Sequence, residues 1–238
     1  LYDTGLVYRT GVTRVEPGGT LAVFKWGDVL APLTLRGGRL AVRDGSGAVT
    51  VQGVISLSNA PAIFAPDGSD PLYLTNVVRG TAGFVVAASG GGGVELGANN
   101  TFVGDVVVSN GYLTLGRGGS AGSVNATNIT LVNGSDLYLW RSDALTLTNQ
   151  ISGNGDVLVR TPAGLTIAHR SIRIGQTLEV AHEAGDAVMI VQPGAVVEAN
   201  AIFLGNRGTD DCDGTIIQHG GTVRATNQFR LAHWDNEV

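Results

Sequence analysis

Three carboxylates, Asp210, Asp211 and Asp213, crowd into the short segment NRGTDDCDG at 206–214. Ca²⁺ takes six to eight hard oxygen ligands, so this segment could supply part of a Ca²⁺ site, although a solvated acidic turn accounts for the same residues without metal. Aromatic side chains are the second candidates. Trp26, Tyr138, Trp140 and Trp234, with Tyr112 beside them in kind, could stack on the apolar faces of sugar rings, or could simply cap a core. His169, His182, His219 and His233 are widely spaced and form no HxH or HxxxH pair, so zinc is not called for. There is no G-x-S-x-G elbow, no phosphate-binding loop and no dinucleotide fingerprint. From spacing alone no catalytic residue is nominated and no cofactor is expected, with Ca²⁺ the one ion the acidic turn could take.

The elements that must position these residues are strands. The chain has 36 Gly among 238 residues and a single Lys, Lys25, while Val, Leu, Ile and Thr dominate the remainder. Gly weakens helix interiors by about 1 kcal/mol relative to Ala, and β-branched residues suit pleated surfaces, so an all-β fold is expected. A formal charge of -5 with only 15% charged residues leaves no Arg cluster for phosphates, which argues against nucleic acid as a partner. No apolar run approaches the roughly 20 residues of a membrane-spanning helix, so no transmembrane segment is expected. The start, Leu1-Tyr2-Asp3, has no signal-peptide pattern and reads as that of a mature or excised piece. One cysteine, Cys212, cannot form an internal disulfide.

Gly followed by alternating apolar residues recurs, at Gly19, Gly38, Gly111, Gly134, Gly155, Gly175, Gly194 and Gly221. The steps from Gly111 through Gly134, Gly155 and Gly175 to Gly194 are nearly even, and the last one, to Gly221, is longer. A sustained period of roughly 20 residues is the mark of a solenoid, here a parallel β-helix of roughly twelve coils over 1–238 as one domain. Asn-Gly at 110–111 and 133–134, and Asp-Gly at 44–45, 67–68 and 213–214, suit corners that need positive φ. The same dipeptides suit hairpins, so an antiparallel β-sandwich or jelly roll is the alternative. Pro61, Pro66, Pro71 and the run Gly90 to Gly93 mark 56–92 as an excursion or boundary, and 206–214 as a second excursion. With no capping helix in the pattern, the open ends of such a stack are expected either to continue in a longer chain or to self-assemble.

The stretch GVELGANNTFVGDVVVSNGYLTL at 93–115 closely resembles the autotransporter-associated β-strand repeat, G-x-L-x-L-x-G-x-N-T-Y-x-G-x-T-x-V-x-x-G-x-L-x-L. Asn100, Thr101, Phe102, Gly104, Gly111, Leu113 and Leu115 keep the pattern, and Asp105-Val106 depart from it. The resemblance implies a right-handed parallel β-helix, similar to the pectin-lyase-like folds. It also implies a secreted or cell-surface bacterial protein, a stalk, passenger or adhesin segment without catalytic residues. Asp210-Asp211-Cys212 after Gly208 also resembles the G-D-D-C element of polygalacturonases, in which paired carboxylates activate water and protonate the leaving oxygen. The other three motifs of that family have no counterpart: Gln218-His219-Gly220 lacks the leading Gly, and Arg173-Ile174 is followed by Gly175. The expectation is therefore a non-enzymatic, extracellular structural or adhesive β-solenoid of a bacterial surface protein or fibre. Its partner would be a surface polysaccharide, a protein or further copies through the open ends. The alternative is a carbohydrate-active β-helix that binds or cleaves polysaccharide, with Asp210 and Asp211 as its acids.

Overall fold

The computed structural model describes residues 11–24, 28–43, 47–182, 186–205 and 212–231. It is all-β, a parallel β-solenoid of about nine turns. The described chain divides into two compact units, one of residues up to 117 with 121–129, the other of 118–120 with 130 onward. Among the described residues no helix is long and apolar enough to cross a membrane.

In the first unit each coil lays down three short strands on three faces. The first face stacks Thr13–Val15, Leu33–Leu35, Ile55–Leu57 and Val78–Gly80 in parallel register. The second stacks Thr20–Phe24, Arg39–Arg43, Ala62–Ala65, Phe84–Ala87 and Val106–Asn110. The third stacks Val49–Val51, Leu72–Leu74, Gly93–Leu96 and Tyr112–Gly119. The second unit repeats the plan. Leu145–Leu147, Leu165–Ile167, Ala187–Val191 and Gly214–Gln218 form one face. Asp136–Arg141, Asp156–Arg160 and Thr177–Val180 stack on another, and the last of these pairs on with the far half of Val196–Leu204.

Period-2 alternation explains why these segments are strands: one side chain of each pair enters the column and the next leaves it. Leu33, Leu35, Ile55 and Leu57 are all within 1% of complete burial, while Thr34 and Ser56 between them face outward. Burying each such aliphatic side chain is worth about 1.5–3 kcal/mol, and a rung gains it only when rungs above and below close the column. Within the column lies a short run of aromatic rings. Phe64 and Phe84 meet edge-to-face at 5.0 Å between ring centroids, and Phe84 and Phe102 at 5.3 Å.

Several turns are longer than the roughly 20-residue period of the glycine pattern. Leu33 pairs with Ile55 and Ile55 with Val78, and in the second unit Ile202 pairs with Phe229, so each of these steps takes more chain than the pattern allots. About nine turns are seen over the described residues against roughly twelve expected over 1–238, and the longer turns account for part of the difference. Every strand pairing for which a register is defined is parallel, which removes the sandwich alternative. Residues 56–92, expected as an excursion or boundary, carry regular strands of all three faces, and the prolines sit at corners between them.

Corners use glycine where the backbone needs it. Gly80 and Gly153 end strands at φ 124° and 114°, and a Cβ on either would lie within 2.0 Å of the carbonyl oxygen of Leu57 or Leu131 on the neighbouring rung. Asn-Gly at 110–111 and 133–134 and Asp-Gly at 67–68 adopt positive φ at their glycines as expected, whereas Gly214 of Asp213-Gly214 begins a strand. Asp44-Gly45 lies outside the described residues.

Candidate functional site

The strand Asp136–Arg141 sends Leu137 and Leu139 into the column, both fully buried, and so presents Asp136, Tyr138 and Trp140 outward in a row. The next rung is in register, with Asp136 opposite Asp156, Tyr138 opposite Leu158 and Trp140 opposite Arg160. Alternation alone therefore collects two carboxylates, two aromatics and a guanidinium on one flank of the second unit.

Arg160 lies over both rings, 5.2 Å from the centre of Trp140 and 5.5 Å from that of Tyr138. A cation over an aromatic face is attracted by the ring quadrupole, which holds the indole in one orientation. Tyr138 is further covered by His182, ring centroids 5.8 Å apart, and His182 Nδ1 lies 3.1 Å from Glu179 Oε2. Leu158 and Glu179, although outward on their strands, are thereby nearly buried, at 7% and 4% exposure. Trp140 remains 38% exposed.

Beyond Trp140 opens a cleft of about 200 Å³ lined by Gly118, Trp140, Arg141, Ser142, Arg160, Pro162 and Asp186, all in the second unit. Arg141 is its fixed wall: Nε and Nη2 donate to the two carboxylate oxygens of Asp143 at 2.8 Å each, and Nη2 also donates to Ser120 O at 2.6 Å. This two-pronged grip holds the Asp143 carboxyl below its ordinary range. Asp186 is oriented by the backbone N–H of Asp213, which donates to its Oδ1 at 3.1 Å.

The stacked carboxylates Asp136 and Asp156 are the other titrating feature of the flank. Burial, then repulsion from Asp156, pushes Asp136 up to about 6, against a smaller opposing pull from His182. Asp156 Oδ1 accepts the backbone N–H of Thr177 at 2.6 Å, which commits it to the next rung.

The first unit carries a related arrangement that is closed. Glu95 faces outward between Tyr73 and Thr114. Arg117 lies 3.7 Å over the Tyr73 ring and is ion-paired with Glu95 Oε2, and Tyr112 Oη donates to Glu95 Oε1 at 3.4 Å. Burial pushes the Glu95 carboxyl up, and Arg117 pulls it part of the way back. Tyr112 is consumed by this network and offers no platform.

Of the expected sugar-binding residues, Tyr138 and Trp140 are thus brought together, with Trp140 facing the cleft and Tyr138 behind Arg160; Trp26 and Trp234 lie outside the described residues. Asp210 and Asp211 also lie outside them, and Asp213 is an exposed neighbour of Asp186. No group of three or more His, Cys, Asp or Glu side chains able to hold a metal occurs among the described residues. Arg160, Arg141 and Asp186 escaped the sequence reading. The repeat carried a signal for the first: Arg160 stands one turn of the solenoid after Trp140.

No family model, curated protein or solved structure matches the chain.

Proposed function

We propose that the chain is a non-enzymatic, extracellular β-solenoid, a structural or adhesive module of a bacterial surface protein or fibre. One observation carries the reading: the stretch that resembles the autotransporter-associated repeat is one turn of the solenoid, and its signature residues are spent on stacking. Gly93 to Leu96 pair with Tyr112 to Leu115, so 93–112 closes a coil. Asn100 is a buried bracket, its Oδ1 accepting Val78 N–H at 2.8 Å and its Nδ2 donating to Ala98 O and Ser123 O at 2.7 and 2.9 Å. Phe102 extends the aromatic column, and a Cβ on Gly104 would lie 2.0 Å from the Gly83 nitrogen. Leu113 and Leu115 are buried. Even the departure has a structural use, since Asp105 Oδ1 accepts from Asn128 N and Nδ2 at 3.2 and 3.0 Å.

A stack in which Asn100, Phe102, Gly104, Leu113 and Leu115 of the repeat serve its own cohesion is suited to holding its flanks at fixed spacing, and function then lies on what the flanks display. Antibodies raised against the purified chain are expected to label intact, unpermeabilised cells of the producing organism, and labelling that needs lysis overturns the extracellular assignment. Incubation with polygalacturonate is expected to release no reducing ends. Release that Asp136→Asn abolishes would make the stacked carboxylates catalytic and the chain an enzyme.

A further inference from the structure

We propose that the cleft beside Trp140 binds one neutral pyranose ring of a glycan chain, with the indole as stacking wall and Ser142, Arg160 and Asp186 as partners for its hydroxyls. The inference deepens the adhesive reading, on which it rests, by naming a partner for one flank.

Space comes first. Gly118, at φ 75°, lies against the edge of the indole, where an added Cβ would stand 3.1 Å from Nε1 and 3.3 Å from Cε2. With no side chain there, the Gly118 backbone packs directly on the ring and no group of its own fills the adjoining cleft, to which Pro162 adds a second apolar lining surface. About 200 Å³ is below the range of about 300–1,000 Å³ for drug-sized ligands and suits a single ring.

Chemistry narrows the ligand. A pyranose presents an apolar face of C–H groups and a rim of hydroxyls, each both donor and acceptor. The indole matches the face. A guanidinium donates only, a carboxylate accepts only, and a serine hydroxyl does either, so Arg160, Asp186 and Ser142 together match the rim. Charge separates neutral from acidic sugars. Arg141 is locked onto Asp143 and Ser120 and carries no net charge into the cleft. Arg160 and Asp186 are of opposite sign, so a uronate carboxylate drawn to one is repelled by the other.

Preorganisation supports binding over accidental exposure. Trp140 is pinned by Arg160, Arg141 by its two-pronged ion pair, and Asp186 by the Asp213 amide, so little side-chain freedom remains to be lost on binding.

The test is affinity electrophoresis of the full chain through gels that contain a neutral polysaccharide (glucan, mannan, galactan or xylan) or an acidic one (polygalacturonate or alginate). At least one neutral polymer is expected to retard the protein. Trp140→Ala is expected to weaken that retardation at least about tenfold, the scale of a buried aromatic anchor. Asp186→Asn should weaken it severalfold, and Trp140→Phe should retain most of it. Circular dichroism melting keeps the comparison to folded variants, and since Trp140 is partly exposed its removal leaves the column intact. Absence of retardation by every neutral polymer overturns the proposal, as does retardation that Trp140→Ala leaves unchanged, or retardation by acidic polymers alone that salt abolishes. Any of these results leaves the scaffold reading standing, because that reading is judged by where the protein resides.

Discussion

The two units place their stacked aromatic residues on opposite sides of the same kind of wall, Phe24 at the end of its strand in the first unit being 43% exposed and outside that pattern. In the first, Phe64, Phe84 and Phe102 stack inside the column, and the outward Tyr73 and Tyr112 are tied down by Arg117 and Glu95. In the second, the interior is aliphatic, with Leu137, Leu139, Val157, Val159, Leu178 and Val180 inside one face and Ile151, Ile172 and Val197 inside another, while Tyr138 and Trp140 stand on the outer face and Phe203, also outward, is nearly buried under Arg230. Aromatic area inside a solenoid stabilises it, whereas aromatic area outside, left partly uncovered, is available to a ligand. In the first ladder Arg117 lies over Tyr73 and is ion-paired with Glu95 of the neighbouring rung, and in the second Arg160 lies between two rings at the edge of a cleft.

Phe84→Ala should give the largest effect. The residue is fully buried between two rings, so truncation removes both edge-to-face contacts and leaves a cavity, at a cost of about 3–5 kcal/mol. Urea denaturation followed by circular dichroism measures it. A loss under about 1 kcal/mol would mean that the interior of the first unit is not packed by its aromatics.

Arg117→Ala comes next. It strips the opposing charge from Glu95, whose carboxylate is largely buried, and removes the cation from Tyr73, for an expected loss of about 1–3 kcal/mol at pH 7. The sign with pH follows from Glu95: as the pH falls and the carboxyl takes up a proton, the uncompensated charge disappears and the loss shrinks. A loss that stays constant from pH 7 to pH 4 would show that the ion pair does not close this ladder.

The second unit's carboxylates should respond in the opposite sense. Asp136 is held at about 6 in the folded protein against an ordinary value of 3.8, so between those values the folded state binds the extra proton. Its ionised form is therefore a destabilising burden, fully present above pH 6 and gone below about pH 4. Asp136→Asn is expected to raise stability at pH 7 by about 1–2 kcal/mol after allowance for solvent screening, and to change it little at pH 4. Thermal melts of both proteins across that range decide it, and a variant that gains nothing at pH 7 would mean that neither burial nor the neighbouring Asp156 burdens the Asp136 carboxylate.

Much of the fold could be read from the chain because a solenoid writes its period into the sequence. Gly111 to Leu115 and Gly134 to Leu139 announce themselves by Gly at the corner and alternation after it, and both lead into strands. The period also held a part of the site that reading strand by strand misses: adding one turn to Asp136 and Trp140 gives Asp156 and Arg160. What the sequence could not convey is anything that depends on unequal turns. Asp186 reaches the cleft where coils have lengthened, with Leu178 paired to Ile202 a longer step ahead than Leu137 to Val157, and no fixed period points to it. Pro61, Pro66 and Pro71 misled for a related reason, since corners of a solenoid accept proline without leaving the stack.

Trp140→Ala should give the smallest change in stability, and that smallness sharpens the contrast between inside and outside. Trp140 gives up about one cation–π contact with Arg160, worth roughly 0.5–1 kcal/mol at an exposed site. The variant also removes a side chain that is 38% exposed and leaves Leu137 and Leu139 beneath it untouched. A net loss below about 1 kcal/mol is expected in the same urea titration, several times less than for Phe84→Ala. A residue so large, held in place yet contributing so little to the fold, is available to serve another contact. Were Trp140→Ala to cost as much as Phe84→Ala, the indole would be part of the scaffold and the open flank of the second unit would be a closed one.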